Sequence, residues 1–86
     1  MSTSVDPLNK KHTEKQGQYL AFIYYYSKVN GYPPAQADLQ RYFDVSPPSV
    51  HQMILTLEKL SLIKRKPRTS RSLIVLLNVE QLPLLK

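Results

Sequence analysis

Apolar residues recur at helical spacing through the first third of the chain. Tyr19, Phe22, Ile23 and Tyr26 fall at i, i+3, i+4 and i+7, which is one stripe of an amphipathic helix. Leu20 widens the stripe, and Val29 closes it ahead of Gly31 and the Pro33-Pro34 stop. Thr13 with Gln16 three residues later makes a capping box, and Glu14 suits the positive end of the helix dipole. A shorter helix is expected over residues 36–42, burying Ala37, Leu39 and one of Tyr42 or Phe43. Asp44-Val45 then turns into Ser46, whose hydroxyl can cap a third helix. Pro47 and Pro48 lie in its first turn, where amide donors lack intrahelical partners anyway. Val50, Ile54 and Leu57 at i, i+4 and i+7 should face the core.

After Glu58 the pattern changes. Leu62-Ile63 begins a strand, a polar turn follows, and the apolar, β-branched run of residues 73–79 returns as a second strand. The expected fold is mainly α with a small antiparallel β-hairpin, a winged helix-turn-helix of three helices plus a wing. Residues 1–12 read as a flexible N-terminal arm, 13–79 as the folded domain, and 80–86, with Pro83, as a C-terminal tail that leaves the fold.

Composition narrows the class. Eighty-six residues make one domain, and 42% hydrophobic content argues against wholesale disorder. The first residues lack the apolar centre of a signal peptide, and no apolar run approaches membrane-spanning length. The absence of cysteine removes disulfides and thiolate metal sites, which fits a cytoplasmic setting, nucleoid-associated if the host is bacterial. Catalysis is not expected. His12 and His51 lie far apart in different segments, the six acids are scattered, and Gly17 and Gly31 make no phosphate loop. Neither a cofactor nor a metal is expected.

Charge gives the direction. The formal net charge is +6, and residues 1–58 carry equal numbers of cations and anions. The whole excess lies after Glu58, where seven cations face Glu80 alone. Five of them fall in Lys64-Arg65-Lys66-Pro67-Arg68-Thr69-Ser70-Arg71. A capped helix feeding a cationic turn is the outline of a module that binds duplex DNA, with its third helix in the major groove. Ser46, Ser49, His51, Gln52 and Thr56 are the candidate contacts on that helix, Gln52 being suited to adenine. Lys64, Arg65, Lys66, Arg68, Thr69, Ser70 and Arg71 are the candidate phosphate grip of the wing. A membrane surface is a poorer partner, because these cations lie on a turn and not along an amphipathic helix.

The ordered set Lys15-Gln16, Phe22-Ile23, Gly31-Tyr32-Pro33-Pro34, Asp38-Leu39, Val45-Ser46-Pro47, Leu57-Glu58-Lys59, Leu62-Ile63 and Ser70-Arg71 resembles the N-terminal DNA-binding domain of LexA-type repressors over about residues 13–77. The resemblance implies a winged helix that binds operator DNA through its third helix and wing, in a small, repressor-like transcription regulator. Repressors of this type continue into a Ser/Lys self-cleaving domain that also dimerises them. Neither self-cleavage nor dimerisation by that route is expected of these residues. Pro48 replaces a polar base-reading residue, and His51 and Gln52 stand where acidic residues occur, so the resemblance implies no particular operator. The wing lacks the glycine usual there, and Ser61 stands where a glycine often ends the third helix.

Two other readings stay open at this level. Met53, Leu55 and Leu60 fall outside the buried stripe and mark a candidate surface for a larger protein partner or a homodimer. Alternatively, the tyrosines and wing cations serve single-stranded nucleic acid. Tyr24, Tyr25 and Tyr26 point about 100° apart on a helix, so packing explains them better than one stacking platform.

Overall fold

The computed structural model describes residues 12–86, so residues 1–11 of the segment read as an arm lie outside the described residues. The elements run helix α1 (Glu14–Asn30), helix α2 (Gln36–Phe43), helix α3 (Pro47–Lys59), strand β1 (Ile63–Lys64), strand β2 (Ile74–Val75) and a 3-10 turn, Val79–Gln81. This is the mainly α arrangement with a small antiparallel hairpin that the residue pattern predicts.

The capping box of α1 forms as expected. Thr13 Oγ1 accepts from the Gln16 amide at 3.1 Å, and Gln16 Oε1 accepts from the Thr13 amide at 2.9 Å. Gly31, at φ 78°, ends the helix in the left-handed region, where a Cβ would be penalised. Burial on α1 is broader than one stripe, taking in Gly17, Tyr19, Leu20, Ala21, Phe22 and Ile23. The helix is enclosed from two sides. Phe43 of α2 stacks on Tyr19 with ring centroids 4.2 Å apart, and β2 packs along α1 elsewhere. Tyr26 packs at the edge of the core, whereas Tyr24 and Tyr25 meet edge to face.

Two expected core positions are corrected. Val29 is 82% exposed, because it lies beyond Tyr26, the last α1 residue packed on the core. Ala37 is exposed while Asp38 and Leu39 are buried. Asp38 Oδ2 accepts from the Ala35 amide at 2.8 Å, which sets the phase of α2 and turns Ala37 outward.

Val50, Ile54 and Leu57 of α3 are all buried and meet Leu20, Ile23, Leu39, Leu62 and Ile63 in one core. The hairpin is shorter than expected. Ile63 pairs with Val75 and Lys64 with Ile74, and one further bond joins the Leu76 amide to the Leu62 carbonyl at 2.9 Å. The returning run still alternates, with Leu73 and Leu77 inward and Ile74 and Leu76 outward.

The tail does not leave the fold. Leu82 and Leu85 pack against the core, and Gln18 binds the chain end twice, donating to the Leu84 carbonyl and accepting from the Lys86 amide, each at 2.9 Å. Tyr42 donates to the Lys86 carbonyl at 2.6 Å, and Lys86 pairs with Glu14. Gly17 permits this approach: a Cβ there would lie 2.8 Å from the His12 ring and 3.0 Å from Pro83 Cγ.

Candidate nucleic-acid interface

The turn between α2 and α3 is built on one left-handed residue and one cap. Asp44 ends α2 at φ 54°, a conformation that Asp tolerates better than most side chains. Ser46 Oγ then accepts from the Ser49 amide at 3.3 Å and donates to Ser49 Oγ at 3.0 Å. Ser46 is thus committed to capping, while Ser49 keeps a hydroxyl proton to donate. His51 and Gln52 are exposed on the first turns of α3, and no side-chain hydrogen bond engages either among the described residues. Thr56 is half-buried and donates to the Gln52 carbonyl at 3.0 Å, so its hydroxyl proton is occupied.

An open groove of about 650 Å³ runs between α3 and the start of α1. Ser49, Gln52 and Thr56 line one wall, and Lys15 and Gln16 the other. Lys15 lies in the electrically balanced segment of residues 1–58, where net charge gives no sign of it. Its signal was position: a lysine two residues inside a capped helix start.

The wing cations divide by geometry. Lys64, Lys66 and Arg68 are exposed and make no ion pair among the described residues. Arg65 turns back to α3, where its Nε lies 3.1 Å from Glu58 Oε1. Arg71 turns back the other way. Its Nη1 donates to Tyr26 Oη at 3.1 Å, to Asp38 Oδ2 at 3.1 Å and towards the Pro33 carbonyl at 3.4 Å. The guanidinium carbon sits 5.0 Å from the Tyr32 ring centre. Asp38 also pairs with Arg41. The Ala35 amide first, then Arg71, the Tyr26 hydroxyl and Arg41, hold the Asp38 carboxyl below the usual carboxylate range against the opposing effect of burial.

The wing tip is a turn in which the Thr69 amide donates to the Lys66 carbonyl at 3.2 Å. Pro67 takes the second position and Arg68, at φ 61°, the third, a place that favours glycine. Thr69 donates to the Pro67 carbonyl at 3.3 Å, and Ser70 is exposed. Ser72, absent from the candidate contacts, closes the wing by accepting from the Lys66 amide at 3.0 Å and donating to the Thr69 carbonyl at 2.9 Å.

Of the three apolar candidates on α3 and its end, Met53 packs against the core. Leu55 and Leu60 stay outside, 36% and 47% exposed. No helix among the described residues is long and apolar enough to cross a membrane.

Comparison with known proteins fits this geometry. The family model for the LexA DNA binding domain matches residues 9–72. The LexA repressor of Thermosipho melanesiensis is 42% identical over 64 residues, covering 74% of this chain and 32% of the repressor. The LexA repressor of Thermosipho africanus is 39% identical and that of Thermotoga maritima 36% identical, over the same shares of each chain. The chain therefore spans about a third of the length of the curated relatives it matches.

Proposed function

The chain belongs to the LexA DNA-binding domain family, and on that premise we propose that it is a repressor-like transcription regulator that binds specific sites in duplex DNA. The first turns of α3 enter the major groove, Gln52 and His51 reading bases and Ser49 assisting at a base or a phosphate. Lys64, Lys66 and Arg68 hold phosphates from the wing, and Lys15 holds one from the opposite wall of the groove. The observation that carries this reading is the union of an uncommitted polar face on α3 with cations that the fold leaves without an anion.

One module offers a modest interface, so useful specificity calls for two copies on paired half-sites. Leu55 and Leu60 are the exposed apolar residues of α3 and its end that suit a contact between copies or with a larger protein.

Titration of binding with salt, read by fluorescence anisotropy on a labelled duplex, tests the proposal. Affinity should fall steeply with salt, by about 0.9 in log–log slope for each phosphate neutralised. An equal or greater preference for single strands at matched salt, or no binding to duplex at low salt, would overturn it. Selection from a random duplex pool identifies the site, and a palindromic result carries the two-copy arrangement with it.

A further inference from the structure

The wing has little of its own to hold it in place. Its ladder is two residue pairs long, and an isolated two-stranded hairpin is marginally stable in water. Leu62, Ile63 and Leu73 seat its roots in the core, and an arginine ties each root to the helices as well. At the first, Arg65 reaches Glu58 on α3; at the second, Arg71 reaches α1, the α1–α2 connection and α2 at once.

Arg71 is the stronger pin, and three observations set it apart from a phosphate contact. One nitrogen of its fork already serves three acceptors. Its charge is opposed by Asp38, whose side chain is only 10% exposed. Its backbone, at φ 55°, occupies the left-handed region, disfavoured for a side chain of this kind. Strain of that sort persists where surrounding contacts over-determine the position.

Resting on the duplex-binding reading above, we infer that Arg71 is a positioning residue. It fixes the wing against the helix-turn-helix through Asp38, Tyr26 and Pro33, and it neutralises no phosphate. The cations of residues 64–71 therefore serve two ends. Lys64, Lys66 and Arg68 supply attraction, and Arg71 supplies the angle at which they meet DNA. Lysine cannot replace it, because an ammonium brought among these acceptors lacks the planar guanidinium that lies over Tyr32.

The test uses a mixed-sequence duplex and the full chain carrying Arg71→Lys, Arg71→Gln or Asp38→Asn, with affinity measured across a salt series. All three should bind roughly three- to tenfold more weakly than wild type at fixed salt, with the wild-type log–log slope. The direction for Asp38→Asn is the sharpest point, since removal of an anion should otherwise favour a polyanion. Joining Arg71→Gln to Asp38→Asn should weaken binding no further than either alone.

The inference is overturned if Arg71→Lys binds as wild type, or if Arg71→Gln flattens the slope by about 0.9. It is equally overturned if Asp38→Asn binds more tightly or with a steeper slope. Cooperative melting above the assay temperature establishes that folded proteins are compared; should Asp38→Asn melt below it, the two Arg71 variants decide. Wild type that binds no duplex at low salt overturns the duplex reading itself, whereas normal wild-type binding with the variant pattern reversed overturns only the role of Arg71.

Discussion

Arg71 Nη1 lies 3.1 Å from Asp38 Oδ2, joining the far root of the wing to α2 across 33 positions of sequence. Asp38 accepts at the same time from the Ala35 amide at the start of α2. One carboxylate thus serves as helix cap and as anchor of the wing. Its consequences for stability and for DNA binding can be separated by pH, mutation and salt.

Acid should release the anchor. The folded carboxyl of Asp38 is held below the usual carboxylate range, the Ala35 amide and Arg71 being the main favourable causes. A depressed carboxylate contributes its stability in full above the unfolded value, about 3.9, and loses it as pH falls through the lower folded value. Wild type should therefore melt above Asp38→Asn near neutral pH, and the gap should close below about pH 4. Glu14, held low by its bond to Lys86, contributes alike in both proteins and cancels in the difference. A gap that stays constant in acid would mean that Asp38 stabilises through packing alone.

Ser61 should be replaceable to advantage. The Leu62 amide donates to the Leu57 carbonyl at 2.9 Å and the Ser61 amide to the Glu58 carbonyl at 3.0 Å, the paired bonds of a Schellman ending. Its central residue must be left-handed, and Ser61 is, at φ 61°. Ser61→Gly removes a cost of about 1–2 kcal/mol, offset in part by backbone entropy and by any contact of an exposed hydroxyl. A net gain near 1 kcal/mol raises Tm by about 4–8 °C for a domain of this size. An unchanged or lower Tm refutes the argument.

Removing residues 82–86 should destabilise the domain while leaving the salt slope of duplex binding untouched. Leu82 and Leu85 each lose partial burial, and Gln18 loses both of its partners at the chain end. Partial exposure of two leucines is worth about 1–3 kcal/mol, which urea denaturation can read. Wild-type stability in the shortened chain would show that the segment merely rests on α1.

These cases mark where the residue pattern was informative. The capping box at Thr13, the Ser46 cap and the Val50–Ile54–Leu57 face were legible because each depends on spacing within one helix. Ala37 and Val29 were misplaced because burial at a helix edge depends on what packs there, which spacing does not contain. The chain end was misread for the same reason, since Pro83 and three nearby leucines say nothing of Gln18, more than 60 residues away. Charge pooled the wing cations into one patch, and only their side-chain partners separate Arg65 and Arg71 from Lys64, Lys66 and Arg68.

Gln52→Ala should alter which sequences are selected from a random duplex pool, while the log–log salt slope stays that of wild type. Gln52 is exposed beside the groove shared by α1 and α3 and carries no charge, so its contribution belongs to base edges and not to counterion release. Loss of discrimination at one position, equivalent to about 1–3 kcal/mol, is the expected size. An unaltered selected consensus would remove Gln52 from the readers and leave His51 as the main candidate.

Arg68→Gly should move stability and DNA binding in opposite directions. Arg68 holds the third position of the Lys66–Thr69 turn at φ 61°, where glycine is the favoured residue, and it makes no ion pair among the described residues. Relief of the left-handed backbone should raise stability by up to about 1 kcal/mol. Loss of one phosphate contact should weaken binding to all duplexes and flatten the salt slope by about 0.9. Arg68→Ala separates the two effects, because it loses the charge but keeps the strain: its slope should match Arg68→Gly and its Tm should stay near wild type. A wild-type slope in both variants would place Arg68 off the DNA, whatever the change in Tm.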